Sequence, residues 1–230
     1  MEKSILIVGA ASAMGQELVR QQLQAGHSVY TTSRKALEKQ GEKHIHAQFN
    51  IVESDFPEGF LPDSLDGLVY LPGTINLKPF RALKPEAFLE DFQVNVMGGI
   101  KTIHKIQKSF NPGSSIVMFS TVAVQRGMAY HSSVAVSKGA VEGLVRTLAA
   151  ELAPKVRVNA IAPSLTHTPM SERMINTDDK LKAMKERHPL KEIGQPRDMA
   201  SMVSYLLSDN ARWITGQIMH IDGGLSTLNK

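Results

Sequence analysis

The sequence predicts a doubly wound α/β fold: one domain on a single parallel sheet of about seven strands, with helices on both faces. Three observations carry this. Short β-rich runs alternate with longer helix-period segments from end to end, the pattern of βαβ units. The opening run, Ile5–Val8, is apolar at every position, as in a strand covered on both faces. The 230 residues, 42% hydrophobic and 21% charged, supply one core without staples. No repeat, low-complexity tract or linker divides them.

The elements follow in order. After Ile5–Val8, Met14–Ala25 sets Leu18, Val19, Gln22 and Leu23 at helical spacing, and Gly26 is a stop signal. Val29–Thr32, Ile45–Phe49, Leu68–Leu71 and Ile116–Ser120 read as strands. Phe88–Lys108 and Ser133–Leu152 read as long helices. Val156–Ile161 and Gln217–Ile221 are late strands, with helix Asp198–Leu207 between them. Residues 163–190 are the least periodic and carry mixed charge. They follow a strand and so leave the carboxyl edge of the sheet, where such folds bind ligands; a substrate lid is the expectation.

Composition removes several function classes. The chain has no cysteine, which excludes disulfides, thiolate nucleophiles and Cys-type metal sites. Its net charge of +4 comes from 26 basic and 22 acidic residues. These are scattered, which suits anionic small ligands better than nucleic acid. The apolar opening Ser4–Ala13 is interrupted by Gln16, Glu17 and Arg20, well short of the ~20 residues that span a membrane. Neither does it have the form of an export signal, so the expectation is a cytoplasmic protein. His44 and His46 alternate on one strand face, but no third ligand follows, and no metal site is expected.

The turn Val8-Gly9-Ala10-Ala11-Ser12-Ala13-Met14-Gly15 joins the first strand to the first helix. Small residues there let backbone N–H groups approach a pyrophosphate at the helix N-terminus, which carries about half a positive charge. Gly9, Ser12, Met14 and Gly15 are the candidate contacts. Ala13 stands where the three-glycine fingerprint has glycine, which is tolerable if its φ is negative. The end of the second strand reads Thr32-Ser33-Arg34-Lys35, with no acid to take ribose hydroxyls. A guanidinium at Arg34, assisted by Ser33, suits a 2′-phosphate, so NADP(H) is favoured over NAD(H).

Further motifs lie along nearly the whole chain: Asn95 in Phe92-Gln93-Val94-Asn95-Val96, Lys138 in Ser137-Lys138-Gly139-Ala140, Arg157-Val158-Asn159-Ala160-Ile161-Ala162-Pro163 with Thr166 and Thr168, Gly194-Gln195-Pro196-Arg197-Asp198, and Asp222-Gly223-Gly224. With the glycine loop, this ordered set resembles the short-chain dehydrogenase/reductase family, whose fold is of the Rossmann type. The resemblance implies hydride transfer between a nicotinamide and a small carbonyl/alcohol pair. It implies that Asn95 holds a water of the proton relay and that Lys138 holds the nicotinamide ribose. Asn50, Gly73, Pro163, Thr166 and Thr168 then complete the cofactor contacts. A homodimer or homotetramer through Phe88–Lys108 and Ser133–Leu152 is also implied.

One position departs from that pattern. The family's proton-donating tyrosine stands four residues before the lysine, about 400° around a helix and so on the same face; here Val134 occupies it. The family's serine corresponds to Thr121, whose hydroxyl still bonds a carbonyl. His131 lies seven residues before Lys138, about 700° around and within ~20° of the same face. An imidazole titrates at about 6.5, a workable acid at neutral pH. Tyr130 is ~80° off that face if the helix reaches it, and free to swing in if it does not. Two readings follow: an NADP(H)-dependent oxidoreductase with His131 or Tyr130 as donor, or a nucleotide-binding homologue without turnover that serves as a redox sensor or subunit.

Overall fold

Ser4-Ile5-Leu6-Ile7-Val8 lacks polar alternation because it is the middle of the sheet. In the computed structural model, which describes residues 1–229, this strand (β1, Ser4–Val8) pairs in parallel with β2 (Ser28–Ser33) and β4 (Leu65–Tyr70). With β3 (His44–Gln48), β5 (Phe110–Phe119), β6 (Val156–Pro163) and β7 (Ile218–Ile221), the order is β3-β2-β1-β4-β5-β6-β7. Every pairing is parallel. The expected single parallel sheet of seven strands is observed.

Strand period 2 sends successive side chains to opposite faces, and each face has its own core. Ile5 and Ile7 pack with Leu18 and Val19 of α1 (Ala13–Gln24) and with Val203 and Leu206 of α8 (Pro196–Leu207). Leu6 and Val8 pack on the other side with Ile103 and Ile106 of α3 (Gly98–Ile106) and with Val141 and Val145 of α5 (Ser132–Leu152). Each such side chain contributes about 1.5–3 kcal/mol on burial, so register is strongly enforced. Among the described residues no helix is long and apolar enough to cross a membrane.

One expectation needs correction. The helix expected over Phe88–Lys108 is broken into α2 (Pro85–Phe92), a π turn (Gln93–Met97) and α3. The cause lies on a distant strand. The buried Tyr70 hydroxyl of β4 donates to the Val94 carbonyl at 2.7 Å. A Cβ at Gly98 would lie 2.1 Å from that oxygen. A side chain inserted into the helical ladder is a standard origin of such a break.

The crossover from β2 to β3, residues 34–43, contains no helix. That is shorter than the dozen or so residues parallel crossovers usually need. A polar plug covers the sheet face instead. Thr31 Oγ1 sits 2.8 Å from His44 Nε2 and 2.9 Å from His46 Nδ1, while His44 Nδ1 accepts from the Gln40 N–H at 3.1 Å.

Residues 163–190 contain two short helices, α6 (Glu172–Ile175) and α7 (Asp178–Glu186). A further short helix, α4 (Val122–Gln125), follows β5.

Candidate active site

All the sequence-derived candidates except Asn95, Tyr130, His131 and Lys138 lie at, or in the segment just beyond, the carboxyl end of a strand. The strand order reverses beside β1, and ligands of such sheets bind outside the carboxyl ends at that switch point. Gly9 follows β1 with φ +84, and a Cβ there would meet Pro72 Cδ at 3.0 Å across the switch. A Cβ at Gly15 would lie 2.7 Å from the Ala10 backbone. Both positions therefore require glycine. Ser12 caps α1, its hydroxyl accepting from the Gly15 N–H at 3.0 Å. Gln16 N–H bonds the Ser12 carbonyl, so the first-turn amides of Ala13 and Met14 are the ones left to face an anion. Ala13 opens the helix without a positive φ, which is the condition under which alanine replaces glycine. No acidic residue stands in the first turn.

At the end of β2 the Arg34 side chain is exposed, and Gln48 Nε2 anchors its carbonyl at 3.1 Å. The Ser33 hydroxyl donates to the Lys35 carbonyl at 2.5 Å. Its proton is thus used within the turn. Asn50 builds the turn after β3, its side chain accepting from the Val52 N–H at 3.2 Å.

The centre is a buried polar cluster beside Gly73. A Cβ at Gly73 would lie 3.1 Å from Asn95 Oδ1 and 3.4 Å from Lys138 Nζ, so the missing side chain keeps both groups open to one point. Asn95 sits in the π turn; its Nδ2 donates to Thr74 Oγ1 at 3.0 Å and to the Asp91 carbonyl at 2.8 Å. Its Oδ1 is buried without a partner among the described residues. Lys138 is 7% exposed. Burial pushes its ammonium pKa down to about 8, and the Asp91 carboxylate pulls the other way.

Asp91, Thr74 and Asn76 were not singled out from the sequence. Asp91 is wholly buried and accepts at Oδ1 from Thr74 at 2.5 Å and Asn76 at 2.9 Å. The available signal was its spacing: four residues before Asn95, it shares that residue's helical face.

Thr121 follows β5 and accepts from the Ala123 N–H at 3.3 Å, which leaves its O–H proton for a carbonyl. Val134 is buried at 3% exposure, within α5 and one turn before Lys138. Helix α5 starts at Ser132, so Tyr130 lies outside it, in a left-handed conformation (φ 70) and 58% exposed. His131 is the N-cap residue, and its Nδ1 lies 2.7 Å from the Ala129 carbonyl.

Beyond β6, which Pro163 ends, Thr166 bridges to Gly194. Ser171 ties the turn, donating to the Thr166 carbonyl at 2.6 Å and accepting from the Thr168 N–H at 3.0 Å. His167, Thr168, Pro169 and Glu172 line an open cleft of about 340 Å³. His188, beyond α7, contacts Ser164 at 3.0 Å and anchors the far end of the segment.

Residues 40–226 match the family model described as enoyl-(acyl carrier protein) reductase. The chain belongs to the short-chain dehydrogenase/reductase family of oxidoreductases. Among its relatives, 3-oxoacyl-[acyl-carrier-protein] reductase of Staphylococcus epidermidis is 27% identical over 98% of this chain and 99% of its own. Two solved structures share the fold. One, a 4-hydroxyisoleucine dehydrogenase mutant complexed with NADH and succinate, has a TM-score of 0.88 at 24% identity, covering 99% of this chain and 100% of its own. The other, ElxO with NADP bound, has a TM-score of 0.87 at 23% identity with the same coverage.

Proposed function

We propose that the protein is an NADP(H)-dependent oxidoreductase acting on a small carbonyl/alcohol pair. The observation that carries this is the cradle at the switch point. There Gly9 and Gly15 leave no room for side chains, and the Ser12-capped helix aims free amides at the same edge where Lys138 and Asn95 meet at Gly73. Orphaned Asn95 Oδ1 beside an ammonium fits a hydroxyl-rich ribose. When bound there, a nicotinamide coenzyme supplies or accepts the hydride. Gly9, Ser12, Met14 and Gly15 would hold its pyrophosphate, with Asn50, Gly73, Pro163, Thr166 and Thr168 along its length. Arg34, exposed and with no acid beside it in the sequence, is suited to a 2′-phosphate. Thr121 would polarise the substrate carbonyl, and residues 163–190 would close over it.

Val134 favours a second reading, a family member that binds coenzyme without turnover. A positioned general acid contributes about 10²–10⁴-fold, while proximity contributes about 7–11 kcal/mol; a missing phenol slows hydride transfer without abolishing it. The loss of reduced-nicotinamide absorbance, followed over a panel of small ketones and aldehydes, separates the two. The expected outcome is slow, saturable oxidation of NADPH with at least one carbonyl. Saturable NADPH binding with no oxidation across the panel would establish the second reading.

A further inference from the structure

With no phenol at Val134, the proton must come from elsewhere, and the geometry narrows the choice. Tyr130 is over half exposed and outside α5. His131, the N-cap residue of the helix, stands seven residues before Lys138, about 10 Å along its axis, and its Nδ1 is engaged by the Ala129 carbonyl. Lys138 Nζ already borders the point left open by Gly73, next to Asn95 Oδ1. Asp91 completes the arrangement. Its Oδ1 is pinned by Thr74 and Asn76, and its Oδ2 is buried with no partner among the described residues. A buried carboxylate costs several kcal/mol unless its charge is compensated, and Lys138 is the buried cation it acts upon.

We propose that in carbonyl reduction the Lys138 ammonium itself delivers the proton, with Asp91 as the buried counter-charge that keeps it protonated. This rests on the oxidoreductase reading above. The substrate carbonyl carbon gains hydride from the reduced nicotinamide, which is thereby oxidised. The carbonyl oxygen forms an O–H bond as one N–H bond of Lys138 breaks, and the neutral amine then regains a proton from solvent. Lys138 is the catalytic residue in this step, and Asp91 is a positioning residue that acts through it.

The other titratable groups around Lys138 are committed elsewhere. Glu142, one turn further along α5, accepts from Ser120 at 2.8 Å and Arg146 at 3.0 Å. Tyr70 of β4 donates to the π turn, and burial holds its phenol protonated. Gly73, Thr74 and Thr121 add no charge. A lysine that titrates at about 8 is protonated at neutral pH and close to the optimum for a general acid.

The test is the pH dependence of Lys138 labelling by trinitrobenzenesulfonate in coenzyme-free protein, quantified by peptide mass spectrometry. The expected midpoint is about 8, moving down by about one pH unit in Asp91→Asn and returning in Asp91→Glu. In turnover assays the high-pH loss of carbonyl reduction should follow the same midpoint in each protein. Asp91→Asn should be about two- to fivefold slower than wild type between the two midpoints, the gap approaching tenfold above both, with KM unchanged. A wild-type midpoint near 10.5, the ordinary lysine value, overturns the proposal even if Asp91→Asn fails to fold. So does a midpoint indifferent to Asp91, or a kinetic limb that stays in place in Asp91→Asn and vanishes in His131→Ala. Absence of turnover with the labelling shift intact counts instead against the oxidoreductase reading.

Discussion

Gly15 shows how little freedom single residues have here. Its Cβ position lies 2.7 Å from the Ala10 backbone, which cannot yield as a flexible side chain can. Gly15→Ala is therefore expected to cost about 1–3 kcal/mol in urea unfolding and to weaken coenzyme binding, because the α1 N-terminus must shift away from the loop. Unchanged stability and affinity would show that the turn is not the tight cradle described. Arg34→Ala is expected to weaken NADPH binding by about tenfold or more, as loss of a charge-assisted pair implies, and to leave NADH nearly unaffected. Equal losses for both coenzymes would count against a 2′-phosphate contact. These positions were legible in the sequence because they are local: a strand, a run of small residues and a helix follow one another without interruption. Asp91 was not. An acid in a helical pattern reads as a solvated face until tertiary structure shows that it is wholly buried among Thr74, Asn76 and Asn95.

At the scale of elements, the π turn is the feature that periodicity misses. The pattern over Phe88–Lys108 is continuous; what breaks it is the phenol of Tyr70, eighteen residues before Phe88. Tyr70→Phe removes the hydrogen bond to Val94 and leaves that carbonyl to the helix. The expected result is a loss of about 0.5–1.5 kcal/mol in denaturant unfolding, together with lower turnover because Asn95 sits in the turn that relaxes. Full activity in this variant would show that the π turn is not needed to place Asn95. The crossover from β2 to β3 escaped for a related reason. Strand alternation implies a covering helix, whereas the segment between them is short and Thr31, His44 and His46 cover the face with hydrogen bonds. Most strands and α5 were placed within a few residues, since their apolar runs answer to burial on both sheet faces, whereas β5 starts at Phe110, six residues before the apolar run Ile116–Ser120.

The whole molecule gathers these devices at one edge. Seven parallel strands bring to one edge a tight glycine turn at a capped helix N-terminus, a basic residue, a buried Asn–Lys–Asp cluster and the segment 163–190. Helix α5 also leaves Val136 at 59% exposure and open space beside Gly143, a small, partly apolar outer face suited to close packing. Light scattering after size exclusion is expected to give a dimer or tetramer; a monomer at micromolar concentration would remove that face from the account. The nucleotide cradle is tested most directly by thermal unfolding during an NADPH titration. At a hundredfold excess over Kd, binding adds about 2.7 kcal/mol, or roughly 5–10 °C in Tm for a chain of this size. The expected result is a saturable rise of that order with NADPH and a smaller one with NADH. No rise with either coenzyme at millimolar concentration would contradict it.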